Sequence, residues 1–335
     1  MQKKVGRIRD VARETGLSIA TVSRVMNGAT NVKPATREKV LNACDKLNYV
    51  PNPAARTLST KRSRTIAAII PTIEHSVFAK YITAIEQTLG ERDYSLVLAI
   101  SNANREAEVK AARQLLGMGA EAFILSGSDH HQVLLEMFGR RSVPYVFTSI
   151  WEPHNAGPTI GYDNYALATR AVEFLAAHGH ERIAVFHGPL DESDRTRARR
   201  DGAMAATKGR LRLDFFETRL SVEGGKDAVR LMLAAGLQYS AVLCFSDVIA
   251  LGTYFSLFER GIRVPADMSV MGFDNLDWSE HVVPPLTTID LPAEKMGVEV
   301  ATQLIENLET AKPIVPTLLA AEIIKRRSVR AINTK

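Results

Sequence analysis

Short apolar runs alternate with amphipathic helical stretches over most of this 335-residue chain. Such alternation is typical of parallel sheets whose strands are buried on both faces and joined by helices. The pattern occurs twice before a final helix and strand over 292–326, so we predict two doubly wound lobes with a ligand cleft between them. The predicted strands run from Thr65 to Ile70, Ser95 to Ile100, Ala122 to Leu125, Tyr145 to Thr148, Ile183 to His187, Ala241 to Phe245 and Ser269 to Phe273.

The first 64 residues lack this alternation and have the pattern of short helices. Linker-like composition over 51–53 and 59–63 predicts a boundary near residue 64. We therefore expect an all-α domain over 1–51, a hinge helix and linker over 52–64, and an α/β core over 65–335. One lobe of the core is expected over about 65–162 and 292–318, and the other over about 163–289 and 319–330.

Basic residues are concentrated in the first 64 positions, which hold fourteen Lys and Arg against four Asp and Glu. That segment carries a formal charge of +10, so the remainder carries −5 in a chain of net charge +5. A basic module on an acidic body predicts that the module neutralises nucleic-acid phosphates. The alternative is a solvated basic tail.

The chain has two cysteines, Cys44 and Cys244, which lie far apart in apolar stretches. Neither a disulfide framework nor a zinc cluster follows from them, and no metal or cofactor is predicted. No apolar run approaches the length of a membrane span, and Lys3 and Lys4 lead into a polar segment. We expect a reducing, cytoplasmic compartment and no membrane partner.

Motifs of the common enzyme classes are missing from the sequence. It contains no P-loop, no dinucleotide glycine fingerprint after a strand, no HExxH pair and no nucleophile elbow. A binding protein is therefore expected. An exported solute-binding protein would share the core but would need a signal peptide and would lack the basic module.

Residues 8–27 have the spacing of a helix-turn-helix, in which each position has a mechanical role. Gly16 supplies the positive φ of the turn, and Ser18 stands where the cap of the second helix belongs. The positions expected to pack between the helices are Val11, Ala12, Leu17, Val22 and Val25.

A second helix that begins near Ser18 would place Ile19, Ala20 and Arg24 in the major groove. Arg24 is the best hydrogen-bond donor for guanine. The short polar side chains suited to phosphate contacts, which position the helix without reading sequence, are Thr21, Ser23 and Asn27.

A third helix is predicted from Pro34 to about Leu47, with Cys44 in its apolar face. The apolar face is completed by Val40, Leu41 and Leu47. Tyr49 follows, mainly as a packing residue, with a hydroxyl that can meet a phosphate. The run 53–59 is too short to be a stable helix alone. Paired with a second subunit over the minor groove it could insert Leu58 between base steps, and a plain linker is the alternative.

Four segments occur in order: DVARETGLSIATVSRVMN, VPNPAARTLST, RVPADMSVMGFDN and PPLTTID. Over essentially the whole chain the sequence resembles the lactose and galactose repressor family. The resemblance implies a helix-turn-helix head, a hinge helix and a core similar to periplasmic sugar-binding proteins. It also implies a repressor that binds a double-stranded pseudopalindromic operator as a homodimer, with tetramers left open, under control of a sugar or sugar-acid effector. An activator or dual regulator is the alternative.

The family resemblance assigns DNA contacts to both ends of the head. Arg7 replaces the threonine that often caps the first helix in the family, so its phosphate contact would be ionic. Leu58 matches the minor-groove wedge at a central C-G step. The full set of predicted DNA contacts is Arg7, Ser18, Ile19, Ala20, Thr21, Ser23, Arg24, Asn27, Tyr49, Ala55 and Leu58.

The resemblance also assigns effector contacts to loops that follow strands. Asp247 and Asp274 could accept hydrogen bonds from ligand hydroxyls, or could instead cap the next helix. Ser149 stands where several relatives have a sugar-binding aspartate. Arginines within 194–200 suggest an anionic effector, although neighbouring acids could simply neutralise them. The predicted effector contacts are Ile73, His75, Phe78, Ser149, Trp151, Arg195, Arg199, Leu220, Asp247 and Asp274.

Overall fold

The computed structural model describes residues 6–27, 29, 31–50, 62–73, 76–152, 157–207, 209 and 211–332. The chain divides into two compact units, 1–64 and 65–335. Each unit has its own apolar core.

The first unit, called the head below, contains three short helices around a small core. Cys44 is buried in that core, as predicted, but Leu41 is 45% exposed, which corrects its expected place on the apolar face. Val40 and Cys44, four residues apart, share the buried side of the helix, and Leu41 points away from it. The helices are α1 (Ile8–Thr15), α2 (Ile19–Met26) and α3 (Pro34–Lys46).

The second unit, the core, contains two parallel sheets and a short antiparallel pair. The first sheet has the order β11-β5-β4-β3-β1-β2 and the second β7-β6-β8-β9, while β10 pairs with β12. Strands of the first sheet are β1 (Thr65–Ile70), β2 (Ser95–Ile100), β3 (Ala122–Ser126), β4 (Tyr145–Thr148), β5 (Thr159–Gly161) and β11 (Thr317–Leu318). The other strands are β6 (Arg182–His187), β7 (Arg212–Glu217), β8 (Ala241–Cys244), β9 (Ser269–Met271), β10 (Thr288–Asp290) and β12 (Glu322–Ile324).

Helices cover the sheets of the second unit. They are α4 (Ser76–Gly90), α5 (Arg105–Gly117), α6 (Gln132–Arg141), α7 (Asn164–Ala177), α8 (Asp194–Ala205), α9 (Val222–Ala234), α10 (Asp247–Glu259) and α11 (Ala293–Thr310), with a 3₁₀ turn at Asp277–Glu280. Three helix pairs pack closely: α4 with α11, α7 with α8, and α9 with α10. No helix in the described ranges is long and apolar enough to cross a bilayer.

Continuous apolar strands arise because both faces of each sheet are buried. In β1, Ile66 and Ile70 enter one apolar cluster, whereas Ala67 and Ile69 enter the cluster on the opposite face. The predicted α/β architecture of two doubly wound lobes is confirmed.

Five strands were not predicted with bounds of their own, although one strand was expected at the end of 292–326, where β11 and β12 lie. The longest is β7, whose sequence RLDFFE carries charges and lies at the edge of its sheet, where its side chains are half-buried or exposed. Edge position removes the need for a continuous apolar run, so the sequence signal is weak. The other four, β5, β10, β11 and β12, have only two or three residues each.

Candidate functional site

The turn between α1 and α2 has the geometry that the sequence predicts. Gly16 has φ +65°, and the N–H of Leu17 donates to the carbonyl of Ala12 at 3.1 Å. The Ser18 hydroxyl accepts the N–H of Thr21 at 3.1 Å, which caps the start of α2. The local sequence thus sets the start of the second helix.

One side of α2 is buried and the other is exposed. Val22 and Val25 are 0% and 3% exposed and hold the helix to the head. Ile19, Ala20 and Arg24 lie on the exposed side, and Ile19 is 45% exposed. Apolar side chains and a guanidinium on one exposed side of a helix form a surface suited to base edges, because thymine presents a methyl group and guanine presents two acceptors.

The predicted phosphate-contact residues lie around the same helix. The hydroxyl of Thr21 contacts the Ser18 hydroxyl at 2.9 Å, and the Asn27 amide donates to Ser23 at 3.4 Å. All four residues lie in α2 or directly next to it, on the helix that carries Arg24.

Arg7 and Tyr49 lie in the head outside α2. The N–H of Arg7 donates to the Asp10 carboxylate at 3.0 Å, while its guanidinium makes no capping bond with the described residues. Tyr49 packs against the head core, and burial raises the pKa of its phenol. Ala55 and Leu58 lie outside the described residues.

A cavity of about 440 Å³ lies between the two lobes of the core. Its size is in the range of small-molecule sites, and loops at the carboxyl ends of β1, β2, β4, β6, β8 and β9 contribute to its wall. The lining side chains from the first lobe include Val77, Phe78, Tyr81, Asn102, Ser149 and Tyr162, and those from the second include Arg195, Arg199, Leu220, Phe245, Ser246 and Asp274.

Six of the ten predicted effector residues line this cavity: Phe78, Ser149, Arg195, Arg199, Leu220 and Asp274. Ile73, Trp151 and Asp247 are not part of its wall. Ile73 is 54% exposed and lies beyond the strand end that reaches the cavity. His75 lies outside the described residues.

Arg199 is buried at the cavity wall. Its Nε donates to the side-chain oxygen of Asn164 at 2.9 Å and its Nη1 to the carbonyl of Phe245 at 2.6 Å. The guanidinium also lies 4.3 Å from the ring centroid of Phe273. Burial lowers the pKa of Arg199, while the nearby Asp274 carboxylate opposes that shift. A guanidinium has five N–H donors, so the two hydrogen bonds do not exhaust it.

Asp274 lines the cavity with a strained backbone, since its φ is +121°. Its carboxylate accepts the Ser246 hydroxyl at 2.9 Å and the N–H of Asp247 at 3.3 Å. Burial raises the pKa of Asp274, and Arg199 works against that rise. The carboxylate and the guanidinium together offer acceptors and donors at one end of the cavity.

Asp247 differs from Asp274 although both follow a strand. Its Oδ1 accepts the Thr288 hydroxyl at 2.6 Å, and its Oδ2 accepts the Ser279 hydroxyl at 2.6 Å and the N–H of Leu276 at 3.0 Å. Burial and the Asp274 carboxylate raise its pKa. Asp247 therefore holds the loop after β9 in place. The sequence predicted that it would contact the effector, but it is not part of the cavity wall. Ser246, not Asp247, caps α10.

Sequence motifs downstream of the head surround this buried carboxylate. An added Cβ on Gly272 would collide with the carboxylate of Asp247, so the backbone there approaches as only glycine allows. Thr288 supplies one of the hydroxyl donors to Asp247. The GFDN and PPLTTID segments thus both contact Asp247, and together these contacts fix the loop that carries Asp274.

Known protein families match both units of the chain. Residues 7–52 match the family of bacterial regulatory proteins described as the lacI family. Residues 63–322 match the family described as periplasmic binding proteins and sugar binding domain of the LacI family. The chain belongs to the LacI family. It is a transcriptional regulator and not an enzyme, as the sequence predicts.

Relatives in the LacI family align with nearly the whole chain. Catabolite control protein A of Priestia megaterium is 33% identical, over 89% of this chain and 91% of that protein. The Lac repressor dimer bound to operator and the anti-inducer ONPF has a TM-score of 0.86 at 29% identity, covering 98% of this chain and 100% of that one. The CelR–cellobiose complex has a TM-score of 0.70 at 28% identity, with 96% and 99% covered.

Some cavity residues of this LacI-family chain were not predicted. Tyr81 is 2% exposed, and its hydroxyl has no hydrogen-bond partner of standard geometry among the described residues. It follows Phe78 by three residues in α4 and so shares its face, a spacing that could have identified it. Tyr162 and Met296 also line the cavity, but only the fold brings them there.

Proposed function

We propose that this regulator represses transcription by binding a pseudopalindromic operator as a homodimer, and that a small effector between the core lobes controls the binding. The observation that carries the DNA-binding part is the exposed side of α2, where Ile19, Ala20 and Arg24 stand together. The observation that carries the effector part is the cavity of about 440 Å³ lined by Arg199 and Asp274.

In the proposed complex, α2 enters the major groove. Arg24 donates to guanine, and Ile19 and Ala20 contact thymine methyl groups. The residues that position the helix on phosphates are Arg7, Ser18, Thr21, Ser23, Asn27 and Tyr49. Ala55 and Leu58 are proposed to reach the minor groove, where the leucine would open a base step.

The dimer follows from the size of the reading element. Helix α2 has eight residues, so a single head contacts few base pairs. A twofold dimer reads two half-sites and thereby gains both affinity and specificity. The similar Lac repressor structure is a dimer on operator DNA, which supports this proposal. We further propose that the protein acts in the cytoplasm, where it reaches the operator.

A sugar or sugar acid is the proposed effector. Arg199 and Asp274 present donors and an acceptor to adjacent hydroxyls, and Tyr81 adds a buried phenol. Val77 and Phe78 supply apolar surface for a sugar ring. The similar CelR structure holds cellobiose, which supports a carbohydrate. Binding is proposed to change the lobe arrangement and thereby the population of operator-competent dimers.

The test is a fluorescence-anisotropy titration of a pseudopalindromic operator with a central C-G step, in the presence and absence of sugars and sugar acids. A ligand that weakens binding makes the protein an induced repressor, and one that strengthens binding is a corepressor. No binding to any such operator would refute the DNA-binding proposal. No effect of any carbohydrate on tight operator binding would refute the effector proposal.

Arg24→Ala provides the residue-level test. Loss of a bidentate guanine contact should weaken operator binding by about 1–3 kcal/mol and relax the preference at one base pair. Arg13→Ala is the matched control, because Arg13 is an exposed arginine of α1 with a side chain 81% exposed. It should weaken binding to all sequences equally. Equal loss of discrimination in both variants would contradict the role of Arg24.

A further inference from the structure

The two lobes are joined beside the cavity by the side chain of Asp194. Asp194 is the first residue of α8 in the second lobe. Its Oδ2 accepts the N–H of Ser128 at 2.6 Å and that of Asp129 at 3.2 Å, both in the loop after β3 of the first lobe. The carboxylate of one lobe therefore bonds directly to the backbone of the other.

Asp194 does not serve its own helix in the ordinary way. The hydroxyl of Ser193 caps α8 by accepting the N–H of Thr196 at 3.2 Å. A carboxylate at a helix start usually stabilises the helix through its own first-turn amides. Among the described first-turn amides of α8, the N–H of Arg195 alone donates to this carboxylate, at 2.7 Å, and the other carboxylate oxygen accepts hydrogen bonds from the opposite lobe.

The same carboxylate also holds a cavity residue. Oδ1 of Asp194 lies 3.1 Å from Nη1 of Arg195, and both side chains are only 14% exposed. Burial raises the pKa of Asp194, but the Arg195 guanidinium and the three N–H donors outweigh that effect and lower the pKa below its ordinary value. The charge is thus retained at neutral pH, and the charge-assisted hydrogen bonds are strong ones.

Gly127 supplies an independent observation. Its φ is +88°, and a Cβ added there would lie 2.7 Å from Oδ2 of Asp194 and would also overlap the guanidinium of Arg195. The first lobe therefore approaches this pair so closely that no side chain fits between them.

A second contact flanks the first but contributes less. Arg197 Nη2 lies 2.6 Å from the carboxylate of Asp129, with side chains 38% and 36% exposed. Ion pairs at that exposure contribute little to stability, because solvent screens them. The contact of Asp194, whose side chain is only 14% exposed, is the stronger connection.

We propose that Asp194 is an interlobe clamp that favours the lobe arrangement of this structure and fixes Arg195 at the cavity wall. The clamp consists of protein groups alone, so it needs no effector in order to form. Its consequence for regulation rests on the proposed function: an effector that needs the lobes apart must break the clamp, and one that needs them together gains from it.

The test compares Asp194→Asn with Asp201→Asn in the full-length protein without DNA or effector. Asp201 is an exposed residue of the same helix, so both variants remove one negative charge from α8. Hydrogen exchange measured by mass spectrometry should show the amides of Ser128 and Asp129 exchanging about tenfold faster or more in Asp194→Asn. The reason is that a neutral amide replaces the charged carboxylate that accepts their hydrogen bonds. Asp201→Asn should exchange as the unmodified protein does.

Lobe separation is measured in the same variants by electron spin resonance. Labels on Lys110→Cys and Met204→Cys report the distance between α5 and α8, and the two native cysteines are buried. Dilution with unlabelled chains leaves only distances within one chain. The clamp predicts a longer or broader distance in Asp194→Asn alone.

Gly127→Ala tests the clamp without changing any charge. Gly236→Ala is its control, since Gly236 also has positive φ, at +67°, but open space around its Cβ position. Greater lobe separation in Gly127→Ala than in Gly236→Ala supports the clamp. Equal exchange rates and equal distances in each variant and its control would overturn it. These readouts need neither operator nor carbohydrate, so failure of the repressor proposal would leave the clamp result intact.

Discussion

Replacing Arg199 with methionine tests how the cavity wall is built. Methionine follows the arginine side chain as far as its Nε, keeps that part of the apolar stem and removes every donor. The carbonyl of Phe245 and the amide oxygen of Asn164 then lose their partners, each at a cost of about 1–3 kcal/mol for a buried acceptor. The contact with the Phe273 ring contributes up to about 2 kcal/mol more when desolvated.

The effect extends to the first lobe through Asn164. Its amide nitrogen donates to the carbonyl of Ser149 at 2.9 Å, so the bond from Arg199 fixes the orientation of an amide that touches both lobes. Burial of the methionine recovers part of the loss. We expect a net destabilisation of about 3–5 kcal/mol, the range for removing one partner from a buried charged contact.

Differential scanning calorimetry of the full-length protein measures this loss in the transition of the core. At about 2–4 °C per kcal/mol for a large domain, the melting temperature should fall by roughly 6–20 °C. Arg200→Met is the control, because the half-buried Arg200 guanidinium lies 5.8 Å from the Phe215 ring, and a cation–π contact that is not fully desolvated is worth about 0.5–2 kcal/mol. A fall no greater than that of Arg200→Met would refute the reasoning.

Two further predictions follow from buried groups. Val22→Ala should destabilise the head by about 2 kcal/mol, because Val22 is 0% exposed, and should weaken operator binding without changing the core transition. Leu41→Ala, at 45% exposure, is its calorimetric control, and equal effects would contradict the packing argument. Burial raises the pKa of Asp247 to about 7 and that of Asp274 to about 6, so protonation stabilises the core and this stability is lost as pH rises through those values. Asp274→Asn should flatten the fall in melting temperature between about pH 4 and pH 7, the interval between the ordinary and the raised pKa values, and an unchanged slope would contradict the burial of an ionisable carboxylate at this position.

The head is the part that the sequence predicts best. Gly16, Ser18 and the buried valines of α2 act on neighbours within one or two helical turns. Local spacing therefore carries nearly all the information about the turn and the exposed side of the helix. Leu41 is the exception, since an apolar residue at a helix edge has no local signal that separates it from the core.

The α/β architecture could also be predicted from the sequence, because strands buried on both faces must be apolar throughout. Strand β7 was missed for the converse reason: at the edge of the sheet, the residues of RLDFFE are not required to be apolar. Two facing lobes also predicted a cavity between them. The volume of the cavity and the residues of its wall could not be predicted from the sequence.

Only the tertiary structure decided what each acidic residue does. Asp247 and Asp274 both follow a strand, yet one is enclosed by donors from Ser279 and Thr288 and the other lines the cavity. Asp194 begins a helix, but its carboxylate bonds to the opposite lobe. The sequence by itself determined which chemical groups stand at strand ends and helix starts. The partners of these groups come from segments distant in the chain, so no local pattern specifies them. The folded arrangement alone decides that Asp247 holds the loop after β9, that Asp274 lines the cavity and that Asp194 joins the lobes.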